Sequence, residues 1–174
     1  MKRTALLSLF SAIITLAALL APSCASAQTR SGEKSFGPKV GFVSRNTSAT
    51  AGLVFQYSLS RVVRLSPEAA IIFRHKNLDG LTVDLNVHFP IPFAGGRASV
   101  YPYVGANFTS WGRHGIHPES HDDVTSHSNQ CGINAGCGVE YYIKKSLKLS
   151  AEARYTLMRH YPTAFVTAGI AFVF

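Results

Sequence analysis

Acidic and basic residues alternate with apolar ones along much of the chain, at positions of one parity. We expect the following to pair with one another: Glu68, Arg74, Asp84, Glu140, Lys144, Lys148, Glu152 and Arg154. A charge removed from water is costly unless it has a partner of the opposite sign. We therefore predict a hydrogen-bonded ionic network with a structural role. A narrow gated path for ions is the alternative.

A histidine-rich segment, residues 112–129, is a second candidate for chemistry. It holds His114, His117, His121 and His127 beside Glu119, Asp122 and Asp123. Imidazole and carboxylate groups are suitable ligands for zinc, copper or nickel. Their spacing matches no closed metal-site signature, and long polar loops often carry such residues without a metal. We expect no metal or other cofactor, with a surface metal site as the alternative.

A hydrolase would need a serine and a histidine within hydrogen-bond reach, with an acid to orient the histidine. His75 has no serine beside it in the sequence. Ser110 lies near His114 but has the parity of the apolar positions. We therefore expect no catalytic activity.

Basic residues collect at the ends of the alternating segments, where they could bind phosphate groups. The set is Arg45, Arg74, Lys76, Arg113 and Arg159. Solvated loop charges are the simpler explanation. The whole chain carries 17 Lys and Arg against nine Asp and Glu, a formal charge of +8. Such a balance often indicates nucleic acid binding, but the N-terminal sequence argues against that partner.

Residues 1–27 have the pattern of a cleaved secretory signal peptide. Lys2 and Arg3 precede an apolar run, and Ala25-Ser26-Ala27 is a small-x-small cleavage site. After that site no window approaches the roughly 18 apolar residues of a membrane helix. Any membrane span must therefore be built from strands.

Period-2 alternation and turn signals predict eight strands. They lie near residues 39–45, 51–59, 62–74, 81–93, 98–111, 130–144, 147–158 and 164–174. Residues 28–38 are expected to form a short N-terminal segment before the barrel of residues 39–174. The last strand ends on Phe172 and Phe174, both on its apolar face.

The two faces of these strands differ sharply. No apolar-face position carries Asp, Glu, Lys or Arg, whereas the glycines Gly41, Gly52, Gly105, Gly132, Gly136, Gly138 and Gly169 all have the polar parity. An eight-stranded barrel has an interior just wide enough for side chains, so small residues belong inside. The polar face is therefore predicted to be the lumen. Cys131 and Cys137 have the outward parity, and their separation along one strand rules out a disulfide between them.

An outward apolar surface of this extent requires a bilayer, and a closed barrel satisfies every backbone group within it. The sequence thus predicts an all-β, eight-stranded antiparallel up-and-down transmembrane barrel. The chain resembles the small outer-membrane β-barrels of the OmpA and OmpX type. The resemblance rests on YPYVGANF, NAGCGVEYYI, LSAEARYTL and TAGIAFVF, which begin at Tyr101, Asn134, Leu149 and Thr167.

The resemblance implies the outer membrane of a Gram-negative cell, with both termini in the periplasm. It also implies insertion by the barrel assembly machinery, guided by the C-terminal strand with Phe172 and Phe174. In that orientation residues 45–50, 75–80, 112–129 and 159–163 form the outer loops, where the basic residues would meet lipopolysaccharide. We expect a monomer with a structural or surface-interaction role. Some small barrels of this membrane modify lipid A, so such an enzyme is a further alternative.

Overall fold

The chain forms a closed barrel of antiparallel strands. The computed structural model describes residues 31–44, 47–75, 77–116, 123–159 and 162–174, and of residues 114–116 and 123–126 only the backbone. The strands are β1 (Lys34–Val43), β2 (Ser48–Ser58), β3 (Arg64–His75), β4 (Leu78–His88), β5 (Ile91–Phe93), β6 (Ala98–Ile116), β7 (Asp123–Lys144), β8 (Leu147–Met158) and β9 (Thr163–Val173). A short 3₁₀ turn, Ala94–Gly96, joins β5 to β6. In these described ranges no helix is long and apolar enough to span a membrane.

Each strand pairs with the next along the chain, except that β4 and β5 both pair with β6, and β1 pairs with β9, which closes the ring. The short β5 lies beside β6 where β4 has ended, so β4 and β5 together occupy one of the eight strand positions of the barrel. Pro90 separates the two because it has no N–H to donate. The neighbouring Phe89 N–H still bonds to the Pro102 carbonyl at 3.0 Å. The predicted eight-stranded up-and-down barrel is confirmed.

The strand boundaries differ most from the prediction at two places. β1 begins at Lys34 rather than at residue 39, so residues 34–38 belong to the barrel instead of the N-terminal segment. The hairpin of β6 and β7 is also longer than predicted, since backbone pairing continues to Ile116 and Asp123. The predicted signal peptide, residues 1–27, lies outside the described residues.

Side chains alternate between the lumen and the outer surface as the sequence predicted. Val40, Ile133 and Leu157 lie on the outside with more than half of their surface exposed. Lys148, Glu152 and Arg154 point inward and are buried. The charged face is therefore the interior and the apolar face the exterior, which is the reverse of a water-soluble barrel and suits a hydrocarbon surrounding.

The two ends of the barrel are named here by their connections. The loop end carries the connections β1–β2, β3–β4, β6–β7 and β8–β9, and the turn end carries β2–β3, β5–β6 and β7–β8 together with Lys34 and Val173. β6 and β7 have 19 and 22 residues, whereas β1–β4, β8 and β9 have 10 to 12. This hairpin therefore extends beyond the rest of the barrel at the loop end.

Candidate functional site

Lys39 holds three strands of the barrel together from inside the lumen. Its Nζ lies 2.7 Å from Glu68 of β3 and 2.6 Å from Glu152 of β8. Lys39 itself belongs to β1, so the two ion pairs cross the interior rather than follow a neighbouring strand. The sequence placed Lys39 on the inward face, but parity alone could not reveal which carboxylates it meets.

A second group of paired charges lies nearer the turn end. Arg64 Nη1 donates to both carboxylate oxygens of Glu140, at 2.9 and 2.8 Å. Ser99 donates to the same carboxylate at 2.7 Å, and Lys148 Nζ lies 3.3 Å from it. Because several donors converge on Glu140, its buried charge is well compensated. Arg64 was missing from the network predicted by sequence, although its inward position was a usable signal.

Asp84 forms the third group, toward the loop end. Arg154 Nη1 donates to it at 2.8 Å, and the amides of Asn107 and Asn134 donate at 2.6 and 2.8 Å. Arg154 also lies 3.8 Å from Glu68, so this group joins the one around Lys39. Four cations and four anions take part in all: Lys39, Arg64, Lys148 and Arg154 with Glu68, Asp84, Glu140 and Glu152.

Two members of the predicted network are not in the lumen. Arg74 and Lys144 are both exposed, so the prediction was wrong for them. Arg74 follows a register shift that begins after Ile72, and Lys144 follows one after Tyr142. A bulge adds a residue to one strand and breaks the regular alternation of faces. Parity counted from the middle of a strand therefore fails at these two ends.

Aromatic rings fill the space between the ion pairs. His88 is stacked on Tyr101 with a centroid distance of 4.8 Å, and the tilted ring of Tyr103 lies 4.7 Å from His88 and 6.2 Å from Tyr101. The Arg64 guanidinium lies 4.9 Å from the Tyr101 ring centroid. Tyr101 also donates its hydroxyl to Glu152 at 2.8 Å. The lumen is thus occupied by packed and bonded side chains.

An apolar cluster closes the lumen at its loop end. Val43, Ile72, Trp111, Met158 and Phe165 point inward and pack together, and each is almost fully buried. Leu78 packs against them. We call this group the apolar seal. Ions that entered from the loop end would meet first the seal and then the paired charges, so this arrangement opposes conduction.

The loop end carries exposed basic residues on its outside. Arg74, Arg113 and Arg159 are all exposed at this end, as the predicted basic rim requires. Arg45 and Lys76 of that rim lie outside the described residues. Arg74 also lines an external groove of about 570 Å³. The groove is lined by both apolar and polar side chains: Ile71, Phe73 and Leu81, and Asp79, Ser110 and His127.

The described residues of the loop end give no support to the metal-site or hydrolase hypotheses. In the described ranges no group of three or more His, Cys, Asp or Glu is arranged to hold a metal ion. His117, His121, Glu119, Asp122 and His160 lie outside those ranges, as do the side chains of His114 and Asp123. Ser110 and His127 line the same groove, but the structure shows no hydrogen bond between these two described side chains.

Phe172 and Phe174, at the end of the C-terminal strand, lie on the outer surface. Phe172 pairs with Phe36 of β1 across the closing seam, and Phe174 exchanges backbone hydrogen bonds with Lys34 at 2.9 and 3.1 Å. Both rings are more than half exposed. Cys131 and Cys137 are also exposed on this surface as free thiols, as predicted.

No protein-family model matches the chain, and no curated protein matches it. Solved structures do. The N-terminal β-barrel domain of Pseudomonas aeruginosa OprF is 17% identical with a TM-score of 0.59, and the match covers 82% of this chain and 98% of that one. A major outer membrane protein of Thermus thermophilus is 13% identical with a TM-score of 0.63, covering 82% and 99%.

Ail, the attachment invasion locus protein of Yersinia pestis, is similar in the same way. Its structure in complex with the heparin analogue sucrose octasulfate is 15% identical with a TM-score of 0.55, covering 82% of this chain and 99% of that one. At these identities the likeness establishes the fold. The chain has the fold of the small eight-stranded outer-membrane barrels, and its ligands must be argued from its own residues.

Proposed function

We propose that this protein is a monomeric, non-catalytic barrel of the outer membrane that acts through the surface of its loop end. The observation behind this proposal is the filled lumen. Four buried cations, four buried anions and the apolar seal occupy the interior, so we expect the function to depend on the exterior. Both termini would then lie in the periplasm, with the loop end facing the cell's surroundings.

The hairpin of β6 and β7 is the main surface offered at that end. β7 has its first backbone partner on β8 at Gly132, so residues 123–131 pair with β6 alone. At about 3.4 Å per residue these nine residues extend roughly 30 Å along the strand. The outermost pairs of the hairpin, residues 114–116 with 123–125, also lie beyond the end of β4, which supports a role in surface contact, such as adhesion or envelope integrity.

The exposed arginines give this surface its chemistry. In this orientation the exposed Arg74, Arg113 and Arg159 would face the lipopolysaccharide phosphates of the outer leaflet, and a guanidinium binds phosphate through paired hydrogen bonds. The groove beside Arg74 adds an apolar wall of Ile71 and Phe73 below the charge. The complex of the structurally similar Ail with the heparin analogue sucrose octasulfate supports polyanion binding by a barrel of this fold.

Binding of lipopolysaccharide to refolded protein tests the proposal. We expect the triple variant Arg74→Gln, Arg113→Gln and Arg159→Gln to bind lipopolysaccharide about a hundredfold more weakly in detergent, because each lost cation removes about 1 kcal/mol of attraction and the three losses add. The matched control neutralises three cations at the turn end, Arg97→Gln, Lys144→Gln and Lys145→Gln. Equal retention by the wild type and both variants would refute a basic lipopolysaccharide rim.

A further inference from the structure

The turn end carries a concentration of exposed positive charge. Lys34, Arg61, Arg97, Lys144 and Lys145 are all exposed there. Two acidic side chains lie near them. Glu140 is bonded inside the lumen, and Glu33 accepts the Tyr142 hydroxyl at 2.8 Å and lines a separate cavity with Lys145 and Phe174. The exposed cations of this end therefore outnumber the acidic side chains near them.

Three of these cations converge on one cavity. Arg97, Lys144 and Lys145 line a space of about 290 Å³, together with Tyr141, Tyr142 and Ile143. The backbone holds the two turns together, since the Tyr142 N–H donates to the Arg97 carbonyl at 2.8 Å. The cations thus come from the β5–β6 and β7–β8 turns and are fixed beside one another. A space with three cations and no carboxylate among its lining residues suits an anion.

An apolar groove lies next to this cavity on the outside of the barrel. It has a volume of about 660 Å³ and is bordered by Phe93, Val139, Tyr141 and Leu149. The groove forms because its floor has small side chains. Ala151 pairs with both Val139 and Ala168 across the sheet, and the two alanines leave a depression between larger neighbours. Tyr141 lines both the groove and the cationic cavity. The two spaces therefore adjoin at Tyr141, with the cationic cavity nearer the turn end and the groove nearer the middle of the barrel.

We propose that this composite site binds one anionic phospholipid from the leaflet at the turn end. The phosphate group lies between Arg97, Lys144 and Lys145, and an acyl chain lies in the groove over Ala151 and Ala168. An acidic headgroup is favoured over a zwitterionic one because the three cations have no opposing acid in the cavity. The site is at the opposite end from the lipopolysaccharide rim, so it extends beyond the proposed function and depends only on the barrel lying in a bilayer.

Native mass spectrometry of the refolded full chain tests the site. The protein is mixed in detergent with phosphatidylglycerol and phosphatidylcholine that carry identical acyl chains. We expect one retained phosphatidylglycerol, preferred about tenfold over phosphatidylcholine, since three cations attract the net negative headgroup. The variant Arg97→Gln, Lys144→Gln and Lys145→Gln should lose this preference. The loop-end triple Arg74→Gln, Arg113→Gln and Arg159→Gln should keep it.

Two further arms identify the occupant. The variant Ala151→Leu and Ala168→Leu fills the groove and should reduce the retention of both phospholipids, which a site for the headgroup alone would not show. Excess inorganic phosphate should leave the bound lipid in place. Displacement by phosphate, an absent preference in the wild type, or equal losses in the two triple variants would each overturn the proposal. Lys145→Gln alone, in a turn outside the strands, provides the test if the triple variant does not refold.

Because each triple variant is the control for the other, the two proposals fail separately. The loop-end triple variant should lose lipopolysaccharide and retain phosphatidylglycerol. The turn-end triple variant should show the reverse. Heat-modifiable migration on a gel establishes that each variant has refolded before its lipids are measured.

Discussion

Tyr101 of β6 lies directly across from Gly138 of β7, and a Cβ atom at Gly138 would stand 2.5 Å from the tyrosine ring. Tyr103 and Gly136, the next inward pair along these strands, have the same relationship, with 2.7 Å to the ring. Each glycine therefore provides the space in which an inward tyrosine lies flat against the barrel wall. The ring then reaches His88 and Glu152 at the centre of the lumen.

Gly138→Val should consequently destabilise the barrel by about 2 kcal/mol, because extra methyl groups in a packed interior displace their neighbours. Urea unfolding of the protein in lipid vesicles, followed by gel migration, measures this free energy. Ala153→Val adds similar volume on the exposed outer face and should leave the unfolding midpoint unchanged. Truncating the ring with Tyr101→Ala should make the Gly138→Val effect smaller, and additive effects would contradict the steric explanation.

Glu152→Gln should be among the more damaging substitutions in the lumen. It removes the charge that lies 2.6 Å from Lys39 and that accepts the Tyr101 hydroxyl. Glu68 remains 2.7 Å from Lys39, so we expect a cost below the ~3–5 kcal/mol of a buried charge that loses its whole compensation. The expected result is a lower urea midpoint in vesicles. Lys144→Gln, a charge change at an exposed position, is the control. Similar midpoints for the two variants would show that the network contributes little to stability.

Trp111 is the chain's single tryptophan and belongs to the apolar seal, so its fluorescence reports on the seal alone. We expect blue-shifted emission and slow quenching by iodide in vesicles. The variant Ile72→Ser and Met158→Ser should increase the quenching rate severalfold, because it places hydroxyl groups within the seal. Ile71→Ser changes a neighbouring residue that faces outward and should have no such effect. Rapid quenching in the wild type would show that the seal is open.

The sequence was sufficient for the barrel and its faces, because alternation and the placement of glycine are local signals. It was insufficient for the partners inside the lumen. Lys39 and Glu152 are 113 residues apart, and only the closure of the ring brings them together. Alternation also failed where the ladder is irregular, at Arg74 and Lys144. The early start of β1 was hidden by Gly37 and Pro38, which resemble a turn in the sequence but lie within the strand.

Ser110→Ala tests the absence of catalysis at the loop end. Ser110 lines the external groove with His127 and Asp79, which are the residue types of a hydrolase, although no serine–histidine hydrogen bond links them. If the protein is not an enzyme, cells that produce the wild type, the Ser110→Ala variant or no protein should have the same lipid A acyl pattern by mass spectrometry. An acyl chain that disappears only with the wild type would establish a lipid-modifying activity.

Replacement of residues 114–125 by Asn-Gly separates the hairpin from the barrel. An Asn-Gly pair forms a tight two-residue turn, and it would join Arg113 to Ser126, which already face each other in the ladder. The shortened protein should keep its heat-modifiable migration and its Trp111 emission, because the ion pairs and the seal lie below the excised segment. Surface contact should be lost, measured as attachment of producing cells to host cells relative to cells with the full chain. Unchanged attachment would move the proposed function from the hairpin to the basic rim, whereas failure to refold would show that the projecting ladder helps to form the barrel.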